Sequence, residues 1–447
     1  MLNRHAIPVV RLPRHPLWNA LYVAAWELIA RETHPAVIAT PLRQWDACAW
    51  LLTARYASGV LPPPAGKGEA AREWPAPDHS RGPARSRGDS CAPLRPYFYE
   101  PLQPGFVSPL FAWAEWEWYQ AVGDRARLAS ALPYLIAQYR WRQDHRRGPS
   151  GLYWASPAEP CPDHAPREAA EWCDVSAQQA LAAECIAQMA GAVGQPADEE
   201  HFRAEWAALR ALINERCWHD GAQFYLDRRA DGSPAPLKTA AGFWPLLAGV
   251  PDAGQARALA AHLQDTRQFW RVHVFSSLPA DHPRYSDRGA PGRGSVWPLA
   301  NYAMVKGLER YGLRDLAYRA ADNHLTTLSH VYKETLSLWD YYAPDTIEPA
   351  GVATPDTFSW SALAPIALLT ETLIGLRLDA PSQTLHWRPA LREDYRIEGL
   401  RFGGGDVSLS ATPTRATLSA SAPLTLHLIT PQGEQWLAVN GETTVSI

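Results

Sequence analysis

Hydrophobic positions along most of the chain repeat with the period of an α-helix. Over residues 296–311 the apolar positions, spaced i, i+3, i+4 and i+7, are Val296, Trp297, Ala300, Met304, Leu308 and Tyr311. The same spacing predicts further helices over 17–31, 44–58, 108–122, 125–144, 175–192, 198–217, 253–263, 313–331 and 358–376. Gly123, Gly312 and Gly375 follow predicted helices, at the position where glycine commonly ends the last turn. About eleven helices without strands between them exclude an α/β barrel, in which a strand precedes each helix.

Paired helices joined by alternating short and long loops predict stacked helical hairpins. Because six hairpins closed into a ring use about twelve helices, we predict an all-α (α/α)6 toroid over residues 1–376. A linear helical solenoid would show a repeat of fixed period, which is not evident. Short alternating runs after residue 376 predict a small antiparallel β appendage over 377–447. We expect it to pack on the helices, since so few strands bury little surface alone.

Residues 61–96 differ in composition from the rest of the chain. They are rich in Pro, Gly and Arg, which do not support a packed element, so they predict a long loop. This loop is either a lid over a pocket or a tolerated surface insertion.

Overall composition narrows the classes of function. The chain of 447 residues is 47% hydrophobic and carries a net charge of −4, so we expect neither nucleic acid nor a membrane surface as a partner. Its 20 Trp and 17 Tyr residues offer flat faces that suit sugar rings, although a large core uses many of them. The six cysteines form no C-x-x-C pair, and no apolar leader or 18-residue apolar run occurs. We therefore expect a soluble cytoplasmic protein with free thiols and leave its oligomeric state open.

Two acids stand in settings that suit catalysis. Asp163 lies between two prolines in PCPDHAPR, which holds it on stiff backbone with Arg167 close by, although composition alone favours an ordinary solvated turn. Asp340 lies among aromatic residues in LWDYYAPD, where desolvation can raise the pKa of a carboxyl group. An edge position in a helix contact is the alternative there, and Glu334 and Glu348 compete for any role.

Two further segments combine tryptophan with polar residues at predicted helix starts. Asp46 in QWD suits a first-turn acid that complements the helix dipole. In GRGSVWPLAN, glycines around Arg293 let the backbone approach a ligand, and Ser295 can cap the next helix, which explains most of the segment without any function. All these acids and tryptophans fall on loops at helix ends, which form the open face of a toroid.

The order of these segments resembles glycoside hydrolase family 63 and the bacterial mannosylglycerate-hydrolase-like group, which are relatives of trehalase. The family loop S-G-M-D-N-S-P-R is similar to C-P-D-H-A-P-R here, which aligns Asp163 with the family's general acid, with His164 in place of Asn. Residues 172–178, 241–246 and 293–298 resemble its aromatic-x-D-L-S-A-Q, A-G-F-x-P-L and R-G-P-V-W-P segments. Trp45-Asp46 and Gln103-Pro104 resemble its W-D and Q-P, which face the substrate. The resemblance spans roughly residues 15–405.

The segment of the catalytic base departs from the family pattern. Relatives show W-E-x-Y, whereas this chain has Trp339-Asp340-Tyr341-Tyr342, so the aligned acid is one methylene shorter. Residues 358–361 match F-x-W-[ST] and fix this register on Asp340 rather than Glu334.

The resemblance implies an inverting α-glycosidase that cleaves a short α-linked glucoside or mannoside. Asp163 would be the general acid and Asp340 the general base, with no metal ion or organic cofactor. It further implies that the sugar contacts Trp45, Asp46, Gln103, Arg167, Arg293, Trp297, Trp339 and Trp360. Because of the shorter acid, a sugar-binding protein with weakened catalysis stays open. A sugar epimerase or lyase, with His273 or His282 as its acid/base, is a third reading.

Overall fold

The structure is a computed structural model that describes residues 7–31, 42–58, 109–155, 169–290 and 292–447, without the side chains of residues 42–44. Ten α-helices lie in these ranges: α1 (Pro16–Arg31), α2 (Leu42–Ala54), α3 (Leu110–Val122), α4 (Arg125–Arg146), α5 (Cys173–Val193), α6 (Pro196–Cys217), α7 (Trp244–Leu247), α8 (Ala253–Gln264), α9 (Pro298–Arg310) and α10 (Arg314–Thr335). Short 3₁₀ helices span Arg55–Ala57, Ala240–Phe243 and Ser359–Ala362, and the last of them continues as a π-helix, Leu363–Leu373. None of the helices in these ranges is long and apolar enough to cross a membrane.

Local sequence signals set several helix ends. The Asp124 side chain accepts a hydrogen bond from the backbone N–H of Arg127 and begins α4, while Asp252 and Gln255 form a reciprocal capping box at α8. Gly123 ends α3 with a left-handed φ of 77°. Ser295 does not cap α9, contrary to expectation: the N-cap is Trp297, and Pro298 occupies the first turn.

The prediction of an all-α fold with a small antiparallel appendage is wrong. The strands are β1 (Val9–Arg11), β2 (Trp218–His219), β3 (Phe224–Tyr225), β4 (Leu376–Asp379), β5 (Thr384–Trp387), β6 (Tyr395–Phe402), β7 (Gly405–Thr412), β8 (Arg415–Thr430) and β9 (Gly433–Ser446). Seven of them form one curled sheet, and β2 pairs with β3 as a separate hairpin. The sheet is mixed, because β5 pairs with β8 in parallel.

Long-range pairing builds this sheet into a substantial domain. It runs in the order β1-β6-β7-β8-β5-β4, so an N-terminal strand pairs with a C-terminal one. β9 follows the whole of β8 on one side, while β7 and β5 share its other side. The parallel pairing and the N-terminal strand join segments distant in sequence, which short alternating runs do not reveal.

The sheet packs on the helices through one continuous apolar core. Buried Leu385 and Trp387 of β5 belong to the same cluster as Leu369 of the π-helix and Trp118 of α3. The backbone N–H of Ala380 also donates to the carbonyl of Gln120, at 2.7 Å. These contacts join the sheet to the helices.

Candidate active site

Asp340 lies in a loop, residues 336–358, that connects α10 to the last helical segment; we name it the Asp340 loop. It begins where Leu336 ends α10 with a left-handed φ of 56°. Leu338 and Asp356 fasten its two arms together: the Leu338 N–H donates to the Asp356 carboxylate at 2.9 Å, and the Asp356 N–H donates to the Leu338 carbonyl at 2.6 Å. The Trp339 N–H donates to the Tyr342 hydroxyl at 3.0 Å. The backbone at position 340 is therefore held on both sides.

The Asp340 carboxyl is buried, with 5% of the residue exposed. Its Oδ1 accepts a hydrogen bond from the Thr354 backbone N–H at 2.6 Å. Burial raises the pKa of Asp340 to about 6, because the charged form loses hydration, and nearby backbone N–H groups, that of Thr354 first, offset part of this rise. The group is thus mostly ionised at neutral pH yet close enough to neutrality to exchange a proton.

Five aromatic side chains from three segments, two of them in this loop, pack together; we name them the aromatic cluster. Ring centroids are 5.9 Å apart for Trp45 and Trp297, 5.8 Å for Trp297 and Trp360, 6.5 Å for Trp297 and Tyr341, and 4.1 Å for Phe358 and Trp360. The indole N–H groups of Trp297 and Trp360 are buried without a hydrogen-bond partner among the described residues. Such donors next to apolar faces suit a ligand that has both hydroxyls and flat C–H surfaces.

Two hydrogen-bonded connections join the segments of the cluster to the Asp340 loop. Val296 and Tyr342 exchange hydrogen bonds of 2.9 and 3.0 Å, which sets Trp297 alongside the loop. The buried Asp46 carboxylate accepts a hydrogen bond from the Ser359 N–H, which joins the start of α2 to the segment that carries Trp360. Asp46 therefore helps to position the cluster through this hydrogen bond.

The structure separates the other predicted site residues. Trp339 is half-buried and its indole N–H donates to the Thr335 hydroxyl at 3.1 Å, toward the end of α10. Arg293 is exposed and its Nε donates to the carbonyl of Arg284 at 3.0 Å. Gln103, Asp163 and Arg167, like the 61–96 loop, lie outside the described residues. Of the described tryptophans that we predicted, Trp45, Trp297 and Trp360 meet, while Trp339 makes no ring contact with them.

The competing acids and histidines have other surroundings. Glu334 and Glu348 are exposed. His273 is fully buried, and its Nε2 lies 2.6 Å from Nδ1 of His324; burial and the neighbouring His324 lower the pKa of His273 well below its usual value. His282 Nδ1 accepts the N–H of Arg284 within a turn. Within the described part of the chain, neither histidine forms a hydrogen bond or a ring contact with the aromatic cluster.

Sequence reasoning missed two residues that hold Asp340. Thr354 contributes only a backbone N–H, which any residue but proline offers, so no sequence signal identifies it. Asp356 adopts a left-handed φ of 49°, which Asp tolerates better than most residues. An acid next to Pro355 was the available signal for that turn.

A buried carboxyl with a raised pKa, on a loop that also contributes two rings to an aromatic cluster, is an arrangement typical of proteins that process carbohydrates. Residues 103–361, more than half of the chain, match the sequence model of the family described as the mannosylglycerate hydrolase MGH1-like glycoside hydrolase domain. The protein belongs to this glycoside hydrolase family.

Individual relatives match parts of the chain. An uncharacterized protein of Borreliella burgdorferi is 28% identical over 304 residues, which cover 65% of this chain and 64% of the relative. Mannosylglycerate hydrolase MGH1 of Selaginella moellendorffii is 32% identical over 187 residues, which cover 41% of this chain and 36% of the relative. Mannosylglycerate hydrolase of Thermus thermophilus is 32% identical over 161 residues, 35% of this chain and 36% of the relative. The matches thus span about a third to two thirds of these relatives.

Solved structures share the fold. The family 63 mannosylglycerate hydrolase of Thermus thermophilus in complex with glucose superposes with a TM-score of 0.58 at 21% identity, over 77% of this chain and 99% of that one. A sialidase superposes with a TM-score of 0.69 at 15% identity, over 91% of this chain and 38% of that one.

Proposed function

We propose that the protein is an inverting glycoside hydrolase that cleaves a short α-linked glucoside or mannoside, of the disaccharide or glycosylglycerate type. The observation that carries this proposal is Asp340: a carboxyl with a pKa near 6, held by a fastened loop beside the aromatic cluster. The sugar ring of its substrate then stacks on indole faces while the ring hydroxyls meet the buried N–H groups of Trp297 and Trp360.

In the proposed mechanism Asp340 is the general base. Its carboxylate removes a proton from a water molecule as the water oxygen attacks the anomeric carbon. Asp163 gives its proton to the glycosidic oxygen, so the C–O bond breaks with the electron pair leaving on the aglycone. Carboxyl groups about 6.5–9.5 Å apart leave room for that water and yield a product of inverted configuration.

Two named relatives guide the choice of aglycone. Both the Selaginella and the Thermus protein are mannosylglycerate hydrolases by name. We therefore place mannosylglycerate and glucosylglycerate first among the substrates, ahead of α-linked disaccharides. Cys185 and Cys217 are buried free thiols, which is typical of a reducing compartment and supports a cytoplasmic location.

The test is hydrolysis followed by proton NMR. Purified protein is offered mannosylglycerate, glucosylglycerate and α-linked disaccharides, and the anomeric signal of the first product is recorded before mutarotation. We expect the β-anomer first, and loss of turnover of at least about 100-fold in both Asp163→Asn and Asp340→Asn. The matched control is Glu334→Gln, an exposed acid six residues upstream, which should keep wild-type rates. An α-anomer formed first contradicts inversion.

A sugar-binding protein with weakened catalysis is the second candidate. The observation that favours it is the shorter acid at position 340, one of whose oxygens is already bound to the Thr354 N–H. A large gain in rate in Asp340→Glu would identify a weakened enzyme. Sugar binding by calorimetry with no turnover in either form would identify a binder.

A further inference from the structure

The outer face of the sheet carries a row of large polar and aromatic side chains across four strands. Direct cross-strand partners, from β4 to β9, are Arg377, His386, His427 and Trp436; we name them the sheet row. Side chains alternate between the faces of a strand, and the neighbouring Leu385 and Leu426 are buried in the core. The sheet row therefore points away from the helices.

Trp436 is the platform of this row. It is 62% exposed, and within the described residues it is the only aromatic side chain among the exposed large apolar ones. One face of its indole stacks on His427, with centroids 4.0 Å apart and planes at 10°. His427 is fixed in turn by Glu434 at 3.0 Å and by His386 at 2.9 Å. The ring of His427, held by these two contacts, thus covers one face of the indole, while the Trp436 side chain stays largely open to solvent.

The groups around the platform are polar and carry charges of both signs. Arg377, Arg388 and Arg314 contribute three positive charges, and Asp379 and Glu434 contribute two negative ones. His386 Nε2 is buried without a hydrogen-bond partner and lies 3.8 Å from the Asp379 carboxylate, which is too long for a hydrogen bond. Donors and acceptors of both signs, with no strong excess of either, suit a ligand rich in hydroxyls.

We propose that the sheet row is a second, non-catalytic binding surface for a neutral saccharide. A sugar ring stacks on the open face of Trp436, and its hydroxyls donate to the exposed carboxylate of Glu434 on the same strand. An exposed tryptophan that stands rigid on a polar sheet face favours such a ligand over a protein partner, which would require a wider apolar patch. No residue of the sheet row belongs to the Asp340 loop or to the aromatic cluster.

Affinity electrophoresis tests this proposal in the Asp340→Asn protein, which should not consume the ligand. Native gels contain soluble starch, yeast α-mannan, a β-glucan or a β-mannan. We expect retardation in at least one of them, at least about tenfold weaker apparent affinity in Trp436→Ala, and most of the affinity kept in Trp436→Phe. Val23→Ala, which trims an apolar residue of α1 that is 41% exposed, is the matched control and should migrate like its parent.

Two further measurements separate the alternatives. Trp436→Ala in the otherwise wild-type protein should hydrolyse its small substrate with unchanged kcat and KM, so loss at this surface does not depend on the catalytic site. Sedimentation should give the same mass for the wild-type protein and for Trp436→Ala. Absence of retardation in all four gels, or equal retardation of Trp436→Ala, overturns the proposal. A dimer that Trp436→Ala abolishes would assign the surface to a second copy of the chain instead.

Discussion

Replacing Asp340 by Asn should stabilise the fold while it removes catalysis. The amide keeps the shape of the side chain, and its oxygen can still accept the Thr354 N–H, but it carries no charge to desolvate. In the folded protein the pKa of Asp340 rises from its ordinary 3.8 to about 6. Because the folded state binds this proton more tightly than the unfolded state, the carboxyl lowers stability progressively as pH rises from about 4 to 6.

The size of the effect follows from the shift. About two pKa units correspond to about 3 kcal/mol, and partial solvation of the carboxyl reduces this to about 1–3 kcal/mol. An unfolding entropy of about 2 cal/mol/K per residue makes 1 kcal/mol worth about 1 °C in a chain of 447 residues. We therefore expect Asp340→Asn to raise the Tm by about 1–3 °C at pH 8 and by almost nothing at pH 4.

Scanning calorimetry of both proteins from pH 4 to pH 8, with hydrolysis measured on the same preparations, gives the result. Glu334→Gln removes the same charge from a carboxylate whose side chain is 71% exposed, and its Tm should stay within about 0.5 °C at every pH. A gain in Tm that does not depend on pH, or a loss at pH 8, would refute the role of burial. A gain in Tm together with full activity would support the argument from burial but would show that Asp340 is not a catalytic residue.

Three shorter predictions concern the site and its supports. The kcat/KM profile of the wild-type enzyme should fall on the acid side with an apparent pKa near 6, since the base must be ionised; a limb near 4 would contradict this. Asp46→Ala should cost about 1–3 kcal/mol in urea unfolding because it orphans a buried N–H, while Asp46→Asn, which keeps an acceptor, should cost less; equal losses would contradict the hydrogen bond. Gly375→Ala would place its Cβ 1.7 Å from the Arg388 carbonyl oxygen and should cost more than about 3 kcal/mol, whereas Gly312→Ala, with open space, should cost only about 1–2 kcal/mol of left-handed strain; similar Tm values would refute the clash.

Local signals predict the helices closely. The predicted helix over 125–144 is Arg125–Arg146, because an acid one residue before it caps the first turn and buried apolar residues recur from Leu128 to Tyr139. The last helical segment, predicted over 358–376, begins one residue later, at Ser359, but most of it is a π-helix. The apolar positions of that segment do not reveal which carbonyl each N–H selects.

Non-local pairing explains where sequence reasoning fails. A three-residue strand such as β1 carries almost no period of its own, and it becomes a strand because β6 offers it an edge. In the site, the resemblance implies that Trp45, Trp297 and Trp360 contact the same sugar, and Trp297 does lie against both of the others. The outward direction of Arg293 depends on one hydrogen bond to a carbonyl nine residues away, which no motif records.

The fastening of the Asp340 loop determines what a longer acid can do at this position. Because Leu338 and Asp356 hold one side and Tyr342 pairs with Val296 on the other, the backbone at 340 cannot retreat, and the extra methylene of Asp340→Glu must extend the side chain. We expect the Glu carboxylate to lie nearer to solvent than the carboxylate of Asp340. Burial is the largest cause of the raised pKa, so its relief should outweigh loss of the Thr354 hydrogen bond. We expect the acid limb of the Asp340→Glu rate profile to move to lower pH, and a move to higher pH would show that the hydrogen bond dominates.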